Sequence, residues 1–348
     1  MRFIHISDVR LFAESEKDTE WKNARQKEIE ETFENVLSEC NEKDVDLLLI
    51  AGNLFDHSPS IENLEWLDER LRGLEKTRTV ILSGNMDFLD QSSDEDNFRF
   101  KSRTVLLPAG RTTNAYLRGI NTCVTGFSYA KPVYHDRIIE GIEPGREGAI
   151  NILVGCGGSA ESMPFSKEKI ARKAFDYVAL GGYSKPVHIL KDRMVYSGSP
   201  EPVVHTSEGK HGMILGEITD EGVKISFVPM AKRRYYTIDV TLSPDLSDEA
   251  VCQNLEEKMM KLGNENIYSI VFRGFSGEQV LPRLGRIEKR FYIYDVADLT
   301  ISEADEKAML SENRENMMGK FIREIERVLI ILMIIFAAEH FAMAWKHL

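Results

Sequence analysis

The chain has 348 residues, 43% of them hydrophobic and 29% charged, with a formal net charge of −12. That is the make-up of a globular protein with two domains, or one large domain and an appendage. The acidic balance excludes a polyanion binder that uses its whole surface and leaves room only for a local basic patch.

The first residues enter a strand pattern directly, Ile4-His-Ile-Ser-Asp-Val-Arg10, an apolar run with a polar tip and no secretory hydrophobic region before it. Residues 17–40 place Ile29, Phe33, Val36 and Leu37 on one helical face. Residues 47–56, Leu-Leu-Leu-Ile-Ala-Gly-Asn-Leu-Phe-Asp, read as a fully buried strand, a glycine turn and polar residues at its carboxyl end, where open α/β sheets build sites. A second helical pattern covers residues 61–74, and Val80-Ile-Leu-Ser-Gly-Asn-Met-Asp87 repeats the strand-and-tip form. This β-α-β-α-β order predicts a parallel sheet with right-handed crossovers.

Residues 87–96 are acidic, lack periodicity and are expected to form a surface loop. Short apolar runs in residues 104–127 alternate with Gly110, Asn114, Gly119 and Gly126, as hairpins of a second sheet would. Buried-strand patterns at residues 149–154 and 177–180 end in Gly155-Cys-Gly-Gly158 and Gly181-Gly-Tyr-Ser-Lys-Pro186, and a strand pair is expected within residues 193–229. Five strand tips then meet at one edge of a two-sheet core. Lys232-Arg-Arg234 is the compact basic cluster, and residues 230–300 alternate strand and helix patterns as a small α+β cap would. Residues 301–348 read as helical, with an apolar run at 328–338 that is too short for a bilayer and suits a buried or partner-facing helix. Cys40, Cys123, Cys156 and Cys252 are far apart with no C-x-x-C pairing, so neither a zinc module nor a disulfide framework is indicated, and a reducing cytoplasm fits.

The order of the tips over residues 1–229 resembles the calcineurin-like metallophosphoesterases, specifically the SbcD-type DNA repair nucleases. Their tips read Asp-x-His, Gly-Asp-x-x-Asp, Gly-Asn-His-Asp/Glu, a histidine after a buried strand, and Gly-His-x-His, followed by Tyr-x-Gly-Ser, which stands here as Tyr196-Ser-Gly-Ser. The resemblance implies an α/β/β/α sandwich over residues 1–229, a capping domain over 230–300 and a C-terminal helical segment over 301–348. It also implies a homodimer, DNA across its face, and an SbcC-like coiled-coil ATPase held by the C-terminal helices. No membrane span is expected.

That family's chemistry uses two metal ions about 3.5–4 Å apart, one activating water and both neutralising the phosphodiester. Placed on this chain, the motifs keep Asp8 and Asn85 and lose most other ligands. The first histidine is Arg10, the bridging carboxylate is Asn53 within Gly52-Asn-Leu-Phe-Asp56, the catalytic histidine is Met86, the lone histidine is Cys156, and the Gly-His-x-His pair is Gly182 and Ser184. The expectation is a vestigial dimetal site with no catalytic residues and no cofactor. Arg10 either supplies a cation beside Asp8 or points into solvent. Cys156 reads as a soft ligand or as a small buried hydrophobe. Arg10, Lys232, Arg233 and Arg234 are candidate phosphate contacts, with a solvated turn as the plain alternative for the last three. The competing expectation is an active phosphodiesterase or exonuclease with a rearranged site, one manganese ion held by Asp8, Asn85 and Asp56.

Overall fold

The computed structural model describes residues 1–13, 22–91, 93–159, 162–243, 246–276 and 284–302, and beyond them 311–313, 315–317, 319–321, 323–324 and 327–328. The chain divides into two compact units, one of residues 1–236 with 265–267, the other of residues 237–264 and those from 268 on. The apolar run at 329–338 lies outside the described residues. Among the described residues no helix is long and apolar enough to cross a membrane.

The first unit begins β1 (Arg2–Ile6), α1 (Lys22–Glu42), β2 (Leu47–Ala51), α2 (Ile61–Leu71), β3 (Arg78–Leu82) and β4 (Thr104–Leu106). It continues with β5 (Thr112–Leu117), β6 (Thr122–Phe127), β7 (Ile150–Cys156), α3 (Lys167–Ala171), β8 (Tyr177–Gly181), β9 (Val187–Leu190), β10 (Met194–Tyr196), β11 (Gly212–Thr219) and β12 (Gly222–Pro229). One sheet has the order β12-β11-β1-β2-β3-β4 and the other β5-β6-β7-β8-β10-β9.

The strands β1, β2 and β3 are buried at nearly every position because both faces of their sheet are covered. Ile4, Ile6, Leu48, Ile50 and Ile81 pack under the helices with Ile29, Phe33, Val36 and Leu37 of α1 and Leu64, Leu67 and Leu71 of α2. Phe3, Leu47, Leu49, Ala51, Val80 and Leu82 turn to the other side and meet Ile152, Val154, Ala179 and Leu180 of the second sheet. Each such side chain larger than alanine contributes about 1.5–3 kcal/mol when fully buried. α2 starts sharply because Ser60 accepts from Asn63 N–H while the Asn63 side chain accepts from Ser60 N–H.

Two expectations are corrected. β4 joins the first sheet, parallel to β3, and does not form a hairpin of the second. The pair expected in residues 193–229 is divided: β10 lies parallel to β8 in the second sheet, whereas the β11–β12 hairpin returns to the first, antiparallel to β1. Alternating apolar patterns specify strands but not the sheet that receives them.

The first unit extends past Pro229 because the basic turn is tied back to α1. Arg233 pairs with Glu28 at 2.7 Å, and Lys232 pairs with Glu31. Beneath them Glu201, 1% exposed, accepts from Arg25 at 2.9 Å and from Lys232 N–H at 2.7 Å. The second unit contains β13 (Tyr235–Leu242) from Thr237 on, α4 (Asp248–Leu262), β14 (Ile267–Ser276) from Tyr268 on, α5 (Gly285–Glu288) and β15 (Tyr292–Ser302), with the strands in that order. β15 runs to Ser302, so the first residues expected to be helical are strand. The described residues at 311–312, 317, 319–321, 323–324 and 327–328 include helical turns.

Candidate functional site

The parallel strands end at one edge, and their tips leave extended geometry at once. Asp8, Arg10 and Asn53 have φ of 53°, 55° and 48°, and Gly52 has φ of 89°. Backbone bonds splice the first tip onto the second, from Asp8 N–H to Gly52 O and from Arg10 N–H to Asn53 O, each 3.0 Å. Two glycines are required by close approach. A Cβ on Gly52 would lie 2.7 Å from Cys156 Sγ, and one on Gly84 would lie 2.3 Å from Asn53 Oδ1.

Asn53, 3% exposed, is the centre of the arrangement. Its Oδ1 accepts from Met86 N–H at 3.0 Å, which fixes the amide orientation, since a backbone donor requires an oxygen there. Its Nδ2 therefore faces the other way and donates to Asp8 Oδ1 at 2.8 Å and to Asn85 Oδ1 at 3.2 Å. Asp8 completes its pairing through Oδ2, which accepts from Gly182 N–H at 2.8 Å. Burial raises the Asp8 carboxyl above its ordinary range, and the Asn53 amide is the leading opposing influence.

Asp87 lies below this layer. Gly84 N–H at 2.5 Å and Asn53 N–H at 3.1 Å donate to Oδ1, while Leu54 N–H at 2.7 Å and Phe55 N–H at 3.3 Å donate to Oδ2. One carboxylate thus clamps the second and third tips together. Burial lifts it to about 6 despite these donors. Asp87 fills the fourth position of the Gly-Asn-His-Asp motif and is a site residue beyond those expected from the sequence.

Arg10 requires a correction. Its direct partner is Asp56, although its charge also acts on Asp8 and favours that carboxylate, and it does not point into solvent. Its Nε donates to Asp56 Oδ1 at 2.6 Å, its second nitrogen lies 2.5 Å from the same oxygen, and the two side chains are 22% and 20% exposed. The expectation assumed an extended strand end, with residues two apart on one face. The positive φ values at Asp8 and Arg10 bury Val9 and send Arg10 toward Asp56. Cys156 is fully buried, and burial holds its thiol well above the ordinary value, so it is a neutral packing group against Gly52. Gly182 joins the site only through its backbone N–H. Ser184 stands apart, its carbonyl accepting from Ser199 N–H at 3.0 Å. Lys232 and Arg233 are committed to α1 carboxylates and are corrected as free phosphate contacts, whereas Arg234 is exposed. His5 and His211 are buried structural groups, bonded to Tyr177 and to Ser199 and Ser207, and His57 is exposed.

A two-metal centre needs anionic or lone-pair donors converging on each cation. Here an amide N–H points at the oxygens of Asp8 and Asn85, the nearby thiol is protonated, and Asp56 is neutralised by Arg10. Among the described residues no three His, Cys, Asp or Glu side chains gather where they could hold a metal ion. The residues present do not fit two divalent cations.

Residues 1–163 match the family model described as calcineurin-like phosphoesterase, which supports the metallophosphoesterase superfamily for the two-sheet domain. The chain is also similar to the DNA double-strand break repair protein Mre11 of Methanopyrus kandleri, 26% identical over 271 residues. That alignment covers 68% of this chain and 59% of the relative's length.

Proposed function

We propose that this chain is a DNA- or partner-binding homologue of a DNA end-repair nuclease whose domain has lost two-metal phosphodiester hydrolysis. The observation that carries the reading is the Asn53 amide, whose Nδ2 bridges Asp8 Oδ1 and Asn85 Oδ1, the oxygens the family motifs assign to cations. A hydrogen-bond donor there performs the structural work of a cation, keeping a buried carboxylate paired, without its Lewis acidity. Met86 stands where the motif has its catalytic histidine and has no proton to give a leaving group. The similarity to a DNA double-strand break repair protein supports DNA as the ligand class, and a coiled-coil ATPase is the partner that the SbcD-type resemblance implies.

The alternative, a single manganese ion on Asp8, Asn85 and Asp56, has weaker support, since Asp56 is occupied by Arg10. The test is paired. Hydrolysis of a phosphodiester and of DNA ends is followed with added manganese, and binding of the same DNA is followed by anisotropy. The proposal expects binding without hydrolysis. Turnover in manganese that Asp8→Ala abolishes would overturn it.

A further inference from the structure

The first sheet ends in β12, at eight residues the longest edge strand of the two-sheet domain, against three, six and four for β4, β5 and β9. Its pairing with β11 runs unbroken from Gly212 opposite Pro229 to Thr219 opposite Gly222. Just past one end of the pair Met230 N–H donates to His211 O at 3.1 Å, whereas Ile218 N–H donates away from β12, to Met1 O, at 2.8 Å. Bonding direction alternates along an antiparallel ladder, so the even-numbered residues of β12 bond to β11, and Val223, Ile225, Phe227 and Pro229 turn their backbone groups outward. Proline has no N–H to offer. The outward groups of Val223, Ile225 and Phe227 have no partner among the described residues.

The side chains divide in the same way. Val223, Ile225 and Phe227 lie half-buried against the core between the two sheets, and Lys224 and Ser226 are exposed on the helix-bearing face. An unpaired edge of this length with an apolar inner row is a template for a further strand. β12 is complementary to its own copy. The antiparallel registers of greatest overlap that bring outward groups together place a two-fold axis at Ile225 or at Ser226. The first leaves the two Lys224 side chains as diagonal neighbours, which like charges disfavour. The second parts them, setting Ser226 opposite Ser226, Lys224 opposite Val228 and Ile225 opposite Phe227. Its apolar pairs continue the core between the sheets, and Pro229 falls opposite Val223, where its carbonyl accepts.

We propose that β12 pairs antiparallel with β12 of a second copy of this chain about a two-fold axis at Ser226, joining the two six-stranded sheets edge to edge. This goes beyond the DNA-binding reading and does not depend on it. The test compares wild type with Ser226→Lys by sedimentation velocity over a range of concentrations, and Ser226→Cys with Lys224→Cys by cross-linking under mild oxidation, with thermal midpoints recorded. Both positions are exposed, and the four native cysteines are buried. Across the axis the Cα atoms at 226 lie about 4.5 Å apart, within disulfide reach, whereas those at 224 are about 14 Å apart along the strands. Wild type is expected to dimerise, and Ser226→Lys, which brings lysines together at the axis, to weaken the dimer about tenfold or more at an unchanged thermal midpoint. Ser226→Cys cross-links and Lys224→Cys does not. Wild type that stays monomeric overturns the proposal, as does a dimer that Ser226→Lys leaves unchanged, since another surface then makes it. No cross-link in Ser226→Cys, or equal cross-linking of both cysteine variants, overturns it too. Should Ser226→Lys lower the thermal midpoint, the cysteine pair decides.

Discussion

Substituting Asn53 by Asp tests whether an amide has taken over the work of a cation. The change preserves shape and leaves an oxygen to accept from Met86 N–H, but it removes the donor that spans Asp8 Oδ1 at 2.8 Å and Asn85 Oδ1 at 3.2 Å. In its place stands a carboxylate oxygen about 3 Å from Asp8, and at an effective dielectric of about 20 two such charges repel by about 5 kcal/mol. Uptake of one shared proton limits the penalty, so a destabilisation of about 3–5 kcal/mol is expected at pH 8. The shared proton raises the pair's folded pKa above its unfolded value, so the loss shrinks as the pH falls toward 5. A divalent ion should replace the proton, restoring about 2.7 kcal/mol when present at about a hundred times its Kd. The assay is urea denaturation of both proteins at pH 5 and 8, with and without manganese. An Asn53→Asp variant as stable as wild type at pH 8, or equal manganese stabilisation of both, would refute the reasoning.

Three further outcomes follow from other parts of the first unit. Burial pushes His5 from 6.5 down to about 3, so the unfolded chain takes a proton that the folded protein refuses. Stability from this group is therefore full above pH 6.5 and falls with acidification through that window, by about 1.4 kcal/mol per pH unit; His5→Leu should flatten the slope of urea midpoints against pH. Glu201→Gln leaves Arg25, 5% exposed, with Glu28 at 2.5 Å as its remaining carboxylate, one that Arg233 also uses, and should cost about 3 kcal/mol by urea denaturation. A double-mutant cycle should couple Arg10 with Asp56 by about 1 kcal/mol, and a larger coupling of Arg10 with Asp8 would contradict the pairing described.

The strand tips were legible because buried parallel strands need unbroken apolar runs, and Leu47–Ala51 and Tyr177–Gly181 have no other use for theirs. The ligand losses were equally legible, since a residue either is or is not a histidine or carboxylate. The partners that survivors take up were not. Arg10 turns to Asp56 because of a left-handed backbone at Asp8 and Arg10, where neither residue is glycine and nothing in the sequence marks the turn. The role of Asp87 depends on four backbone N–H groups from two tips, which no side-chain pattern records. Lys232 and Arg233 looked free because their partners, Glu31 and Glu28, are some two hundred residues away in sequence.

Metal stoichiometry tests the central claim most directly. The protein is dialysed against manganese, freed of unbound ion and measured by mass spectrometry, with Asp8→Ala as the control. The account predicts manganese well below one equivalent and no difference between the two proteins. Two equivalents in wild type, lost in Asp8→Ala, would contradict it.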